Sequence, residues 1–290
     1  MVGPRLRVAE LAGALAELSQ TTLVGEFHHI NPAEARVILL EAIDRVLPSY
    51  PPDLSAKAAE TLRHLGVDVQ TQTMVTDIRD GVITVSRGQE KQTTQIKAKT
   101  ILWGAGMKPS PLGELLARQV GAEQDRAGRI IVGPDLAIPG QPNLFVIGDL
   151  ANFSHQTGSP LPGLAAVAMQ QGDYVARLLK ARRRGQTLPP FHYTDKGTMA
   201  IIGRNAAVAD IKGRHLSGFV AWLLWLLVHI RYLIGFDNKM LVLFQWAWNY
   251  FTHKRGNCLI TFEEVAVPVE NSEEMEKAVT PQVLETEVSR

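Results

Sequence analysis

The chain has 290 residues, 46% of them hydrophobic and 20% charged, which is enough apolar material to bury real cores in roughly two domains and unlike a disordered chain. Lysine and arginine total 30 against 29 acids, and the net charge of +1 points away from nucleic acid and from strongly acidic substrates. Arg182, Arg183 and Arg184 form the basic cluster, a run that suits a solvated helix end. Cys258 is the single cysteine, so an intramolecular disulfide and a redox-active cysteine pair are excluded and a reducing compartment is expected.

The opening Met1-Val2-Gly3-Pro4-Arg5-Leu6-Arg7 lacks the continuous apolar core of a secretory signal, so export by that route is not expected. Val8, Leu11, Leu15 and Leu18 then recur at helical spacing, while Ala12, Gly13, Ala14 and Ala16 keep another side small enough for close packing. His28-His29 is a pair with no second ligand group and reads as surface. Residues 37–40 are a continuous aliphatic run of the kind that fills a strand buried on both faces, and the run ends on Glu41.

Pro51-Pro52-Asp53 opens a second helix that runs through residues 62–65, with Asp53 or Ser55 as its cap. Residues 67–69 follow as a short strand. Residues 74–78, an Asp80-Gly81 turn, residues 82–85 and a third run over 95–98 read as a small antiparallel meander, and the unit closes on Thr100-Ile101-Leu102-Trp103. Helix, strand, helix, strand and meander in that order describe a dinucleotide-binding domain over residues 1–103, not a bundle or a barrel.

Beyond it, residues 129–132 and 143–147 read as strands, Gly148-Asp149 ends the second, and residues 160–180 supply a helix. From residue 191 the texture changes. Residues 219–228 form an unbroken apolar run with Trp222 and Trp225, cut off by His229 and Arg231; Asp237-Asn238-Lys239 separates it from the run over 240–251. Neither run reaches the roughly 20 residues of a spanning helix. Gln245, Asn249 and His253 make a polar stripe beside Leu243, Phe244, Trp246, Trp248 and Phe251, the pattern of an interfacial helix. A core helical hairpin or a homodimer interface are other uses of the same surface. Residues 263–290 are acidic and aperiodic, as in a disordered tail.

Several stretches now stand together: Glu10-Leu11-Ala12-Gly13-Ala14-Leu15, Leu40-Glu41-Ala42 with Asp44-Arg45-Val46-Leu47-Pro48, Trp103-Gly104-Ala105-Gly106, Leu144-Phe145-Val146-Ile147-Gly148-Asp149, residues 165–172 and the tryptophan-rich C-terminal part. In this order, and nearly end to end, the chain resembles the type II NADH dehydrogenases, single-chain flavoproteins that pass electrons from NADH to quinone without pumping protons. The resemblance implies an α/β fold. A Rossmann-like NADH-binding domain with its meander covers 1–103, the later part of an FAD-binding domain covers 104–190, and membrane-docking α-helices lie in 191–262. Such flavoproteins interrupt the FAD domain with the NADH domain, so Gly148-Asp149 sits where the chain returns. The family's N-terminal FAD-binding segment has no counterpart in this sequence.

Glu41, at the carboxyl end of a parallel strand, suits both hydroxyls of an adenosine ribose and repels a 2′-phosphate, which favours NADH over NADPH; the alternative is a solvated strand end. The resemblance places Glu10 near the nicotinamide, and Gly104, Ala105, Gly106, Ala165 and Ala166 along the cofactors. Aligned on Glu10, the G-x-G-x-x-G pattern finds Gly3 at its first glycine but Arg5 and Val8 at the other two, a loss that should weaken NADH binding. Asp149, beside the bare Gly148, suits a ribityl or ribose hydroxyl of FAD, with the following helix aiming its positive end at the flavin.

The family's A-Q-x-A-x-Q pattern meets Ala165-Ala166-Val167-Ala168-Met169-Gln170, so the first glutamine is replaced by alanine and Gln170 and Gln171 stand as the candidates to orient a quinone. No metal cluster, triad or carboxylate pair competes, and hydride transfer to a flavin asks for stacking more than for acids or bases. The expected protein is a peripheral enzyme on the cytoplasmic side of the plasma membrane, with quinone and lipid as partners. The competing expectation is a non-catalytic remnant, or one piece of a split protein, that binds membrane and NADH.

Overall fold

A computed structural model describes residues 5–24, 27–88, 92–104, 106, 109–233 and 235–252. Gly3, Ala105, His253, Cys258 and the tail expected over 263–290 lie outside the described residues.

The first helix, α1 (Arg5–Glu17), turns its small side inward: Ala9, Ala12 and Ala16 are buried, whereas Leu11 is 43% exposed. The reason is a backbone contact. A Cβ on Gly13 would stand 1.8 Å from the carbonyl oxygen of Ile202, so only glycine lets the later strand lie directly on the helix. Strand β1 (Val37–Leu40) pairs in parallel with β2 (Val67–Gln70), and α2 (Pro52–His64) crosses between them. The expectation of a strand buried on both faces is corrected here: Leu39 is buried, but Val37, Ile38 and Leu40 are half-covered, in a parallel sheet that has two strands among the described residues.

Neither expected cap closes α2. Ser55 Oγ donates to the carbonyl of Val46, and Asp53 pairs with Nδ1 of His215 at 2.9 Å. Desolvation acts upward on the Asp53 carboxyl, but the hydrogen bond and charge of His215, together with the backbone amides of Asp53 and Leu54, hold the group below its ordinary range.

The meander forms as β3 (Thr73–Arg79), β4 (Val82–Arg87) and β5 (Gln92–Lys97), with Asp80 and Gly81 both left-handed at φ 48° and 73° in the tight hairpin turn. Residues 100–103 leave it without strand pairing, and Trp103 is 60% exposed.

A second core gathers around α3 (Leu112–Val120), β6 (Ile130–Ile131), the hairpin of β7 (Ala137–Ile138) and β8 (Gln141–Phe145), β9 (Ala151–Asn152), which pairs in parallel with β6, and α4 (Ala165–Arg182). Ile130, Leu136, Ile138, Phe153, Tyr174, Phe191 and Tyr193 are among its buried members, and each fully buried aliphatic or aromatic side chain contributes about 1.5–3 kcal/mol. Helix α4 begins later than the expected residue 160. Pro160 and Pro162 hold the chain extended, and Leu164 enters the helix at φ −122°.

The remaining elements are β10 (Thr198–Gly203), β11 (Ala206–Ile211), β12 (Arg214–Ser217), α5 (Gly218–Tyr232) and α6 (Phe236–Thr252). The three strands form an antiparallel meander that the sequence reading did not anticipate. Ala200, Ile202 and Val208 complete the core of α1 and α2, while Ala221 of α5 sits on Ala207 and Ala209 of β11. Helices α5 and α6 meet through Trp225 and Trp246, stacked at 5.8 Å. Among the described residues no helix is long and apolar enough to cross a membrane.

Candidate functional site

Two places collect the residues singled out in the sequence. The first lies around α1 and β1. The main chain of Glu41 continues the pairing of β1 with β2, donating to the carbonyl of Gln70 at 2.9 Å and accepting from Thr73 at 2.9 Å. The carboxylate is half-buried, and its Oε1 accepts from the amide of Ile43 at 3.2 Å, which fixes it at the carboxyl end of the strand. Gly104 passes against α1, where a Cβ would come within 2.1 Å of Cγ2 of Val8; around Gly106 the space is open.

Glu10 reaches the later meander. Its Oε1 accepts from the backbone amide of Ile201 at 3.1 Å, and Glu17, two turns on, accepts from the amide of Arg204. With Gly13 between them, one face of α1 meets the backbone of β10 at Ile201 and Ile202 and the bend after it at Arg204. Tyr50 is buried beside this clamp. Burial pushes its hydroxyl well above the ordinary range; Thr198, which lies alongside without a well-formed hydrogen bond, acts downward, and the carboxylates of Glu10 and Asp210 add to the rise. The phenol therefore stays protonated.

The second place is the turn Gly148–Leu150 against α4. Gly148 is left-handed at φ +68°, a conformation that suits glycine, and its amide donates to Oε1 of Gln171 at 2.7 Å. Asp149 is exposed. Its Oδ1 lies so near Gly163 that a Cβ there would come within 3.2 Å. At the start of α4 the amides of Val167 and Ala168 both reach the carbonyl of Leu164, but those of Ala165 and Ala166 find no acceptor among the described residues. A surface-facing carboxylate and two open amides at a helix start thus sit together. Such a site accepts a hydroxyl on one side and binds electron-rich oxygen or nitrogen on the other.

The two glutamines have different backbone partners. Gln171 is 1% exposed and faces the Gly148 turn. Gln170 brackets Thr194, donating from Nε2 to its carbonyl and accepting from its amide at Oε1, both at 3.0 Å. Gln156, which the sequence reading passed over, treats Tyr193 the same way at 3.0 and 2.9 Å. Both residues belong to the segment that leads from α4 into β10. A lone glutamine in a loop carries no local signal for such a role, because its partner is a backbone 37 residues away.

Comparison with known proteins bears on this arrangement. Residues 9–172 match the family model described as pyridine nucleotide-disulphide oxidoreductase, and residues 196–254 match the NDH2 C-terminal domain. The chain is 43% identical over 267 residues to a type II NADH:quinone oxidoreductase of Mycobacterium tuberculosis, covering 91% of this chain and 56% of that protein. It is 39% identical over 270 residues to a second such enzyme of the same organism, with the same coverage. The chain therefore spans about half the length of the curated relatives it matches. A structure of NDH2 from Plasmodium falciparum in complex with NADH superposes with a TM-score of 0.73 over 86% of this chain and 64% of the other, at 16% identity, and so shares the fold. The chain belongs to the pyridine nucleotide-disulphide oxidoreductase family and, within it, to the type II NADH dehydrogenases.

Proposed function

We propose that this chain acts in electron transfer from NADH through FAD to a membrane quinone; its relatives are named NADH:quinone oxidoreductases. One observation carries the reading: the carboxylate of Asp149 lies over Gly163 beside the open amides of Ala165 and Ala166. These groups fit a flavin nucleotide. Asp149 takes a ribityl or ribose hydroxyl, and the amides, at the positive end of an 18-residue helix, take the electron-rich edge of the ring. When bound, FAD supplies the capacity to accept a hydride and release electrons singly or in pairs.

The protein's own part is to bind and orient. Glu41, fixed at the carboxyl end of β1 by the amide of Ile43, meets the ribose hydroxyls of NADH and repels a 2′-phosphate. Gly104 and Gly106 line the approach to the nucleotide. Glu10 and Gln170 act by placing β10 and the segment before it. In this reading residues 1–103 hold the nucleotide, 104–190 the flavin, and 191–262 the lipid contact.

The docking surface is formed by Phe219, Val220, Leu223 and Leu227 of α5 with Phe244 and Trp248 of α6, all exposed and apolar. Lying in the cytoplasmic face of a bilayer, they bring the flavin site next to lipid-dissolved quinone. The competing reading of a remnant without chemistry has no observation in its favour. Purified protein reconstituted with FAD should show flavin absorption bands and oxidise NADH when a quinone is supplied. A colourless protein that takes up no FAD would sink the proposal.

A further inference from the structure

We infer that Gln171 is a positioning residue: by taking the amide of Gly148 it sets the left-handed turn that aims the Asp149 carboxylate at the start of α4. This rests on the flavin reading of that site. Three residues of α4, Ala168 and, one turn on, the adjacent Gln171 and Gly172, face the turn. Ala168 lies 3.5 Å from where a Gly148 Cβ would be, Gln171 makes the 2.7 Å hydrogen bond, and Gly172 approaches Cδ1 of Ile147 to 3.9 Å by the same measure. Apolar contacts from Ala168 and Gly172 limit how close the turn comes, but they do not choose its rotation. A directional bond to one amide does.

Burial gives that bond its weight. Gln171 is 1% exposed, so its oxygen has no water to turn to, and an unanswered amide or oxygen there costs about 1–3 kcal/mol. Asp149 itself is exposed, with its carboxylate resting only against the backbone at Gly163. Its direction is therefore inherited from Gly148. The chain of dependence runs from a buried side chain on α4, through one backbone amide, to a carboxylate at the surface where a ligand hydroxyl is met.

Amide hydrogen exchange in the full chain without flavin, combined with FAD titration, tests this. The Gly148 amide should be protected in the wild type. In Gln171→Leu, and in Gln171→Met should the leucine variant not fold, it should exchange about tenfold faster or more, with the FAD dissociation constant rising by about the same factor. Gln171→Glu keeps an acyl oxygen as acceptor and should restore both. Rapid exchange of Gly148 in the wild type overturns the inference, as does faster exchange in the variants with FAD affinity unchanged, or affinity lost equally in the glutamate variant. A wild type that binds no FAD sinks the proposed function instead, and the exchange rates still decide whether Gln171 holds the turn.

Discussion

Glu10 on α1 and Asp149 after β8 are both acids that the sequence assigns to cofactors, and the two regions use them in opposite ways. Around α1 the acid is turned inward. Glu10 and Glu17 satisfy amides of β10 and of the bend after it, and the helix carries the later meander as if it were a neighbouring strand. Around α4 a neutral amide, Gln171, does the inward holding, and the acid stays at the surface beside two open backbone donors. The comparison teaches that a ligand site is marked by polar groups left unanswered, and that chemical type alone does not say which groups those are.

The contrast is broken most easily at Gly13. Gly13→Val places a side chain against a backbone oxygen that has no rotamer to escape into, and it should lower the unfolding free energy by about 3 kcal/mol, read from the denaturant midpoint. An unchanged midpoint would mean that α1 does not carry β10. A smaller and more selective effect is expected at the other acid. Asp149→Ala should weaken FAD binding about tenfold to a hundredfold while leaving thermal unfolding unaltered, because the side chain is exposed and its work is done on the ligand.

Glu10→Ala sharpens the comparison from the inward side. It should cost about 1–2 kcal/mol of stability, with Glu10→Gln recovering most of that because an acceptor for the Ile201 amide remains. Should Glu10→Ala instead keep full stability and lose NADH affinity, the sequence assignment of this residue to the nicotinamide would be the better one.

Much of the first core was legible without coordinates. The aliphatic run ending at Glu41, the proline-led helix and the Asp80-Gly81 hairpin each rest on local rules of period and turn chemistry, and each forms where expected. The meander of β10, β11 and β12 was missed for a physical reason. Half of β11 is alanine, and the burial of β10 depends on α1, whose Glu10 is 191 residues from Ile201. The turn signals at Asn205 and at Lys212-Gly213, left-handed at 64°, 52° and 79°, were the local trace it left.

By itself the sequence determined the class of fold, the family resemblance, the two aromatic runs too short to span a bilayer, and the presence of Asp149 beside a glycine. These follow from patterns a few residues long, where steric preference and hydrophobic period act along the chain. Tertiary structure alone decided that Glu10 faces inward while Asp149 faces out, that Gln171 is buried under a turn, and that α1 turns its alanines to the core. Those outcomes depend on which backbone amides arrive unanswered from distant segments, and a buried amide takes the nearest acceptor whatever its place in the sequence.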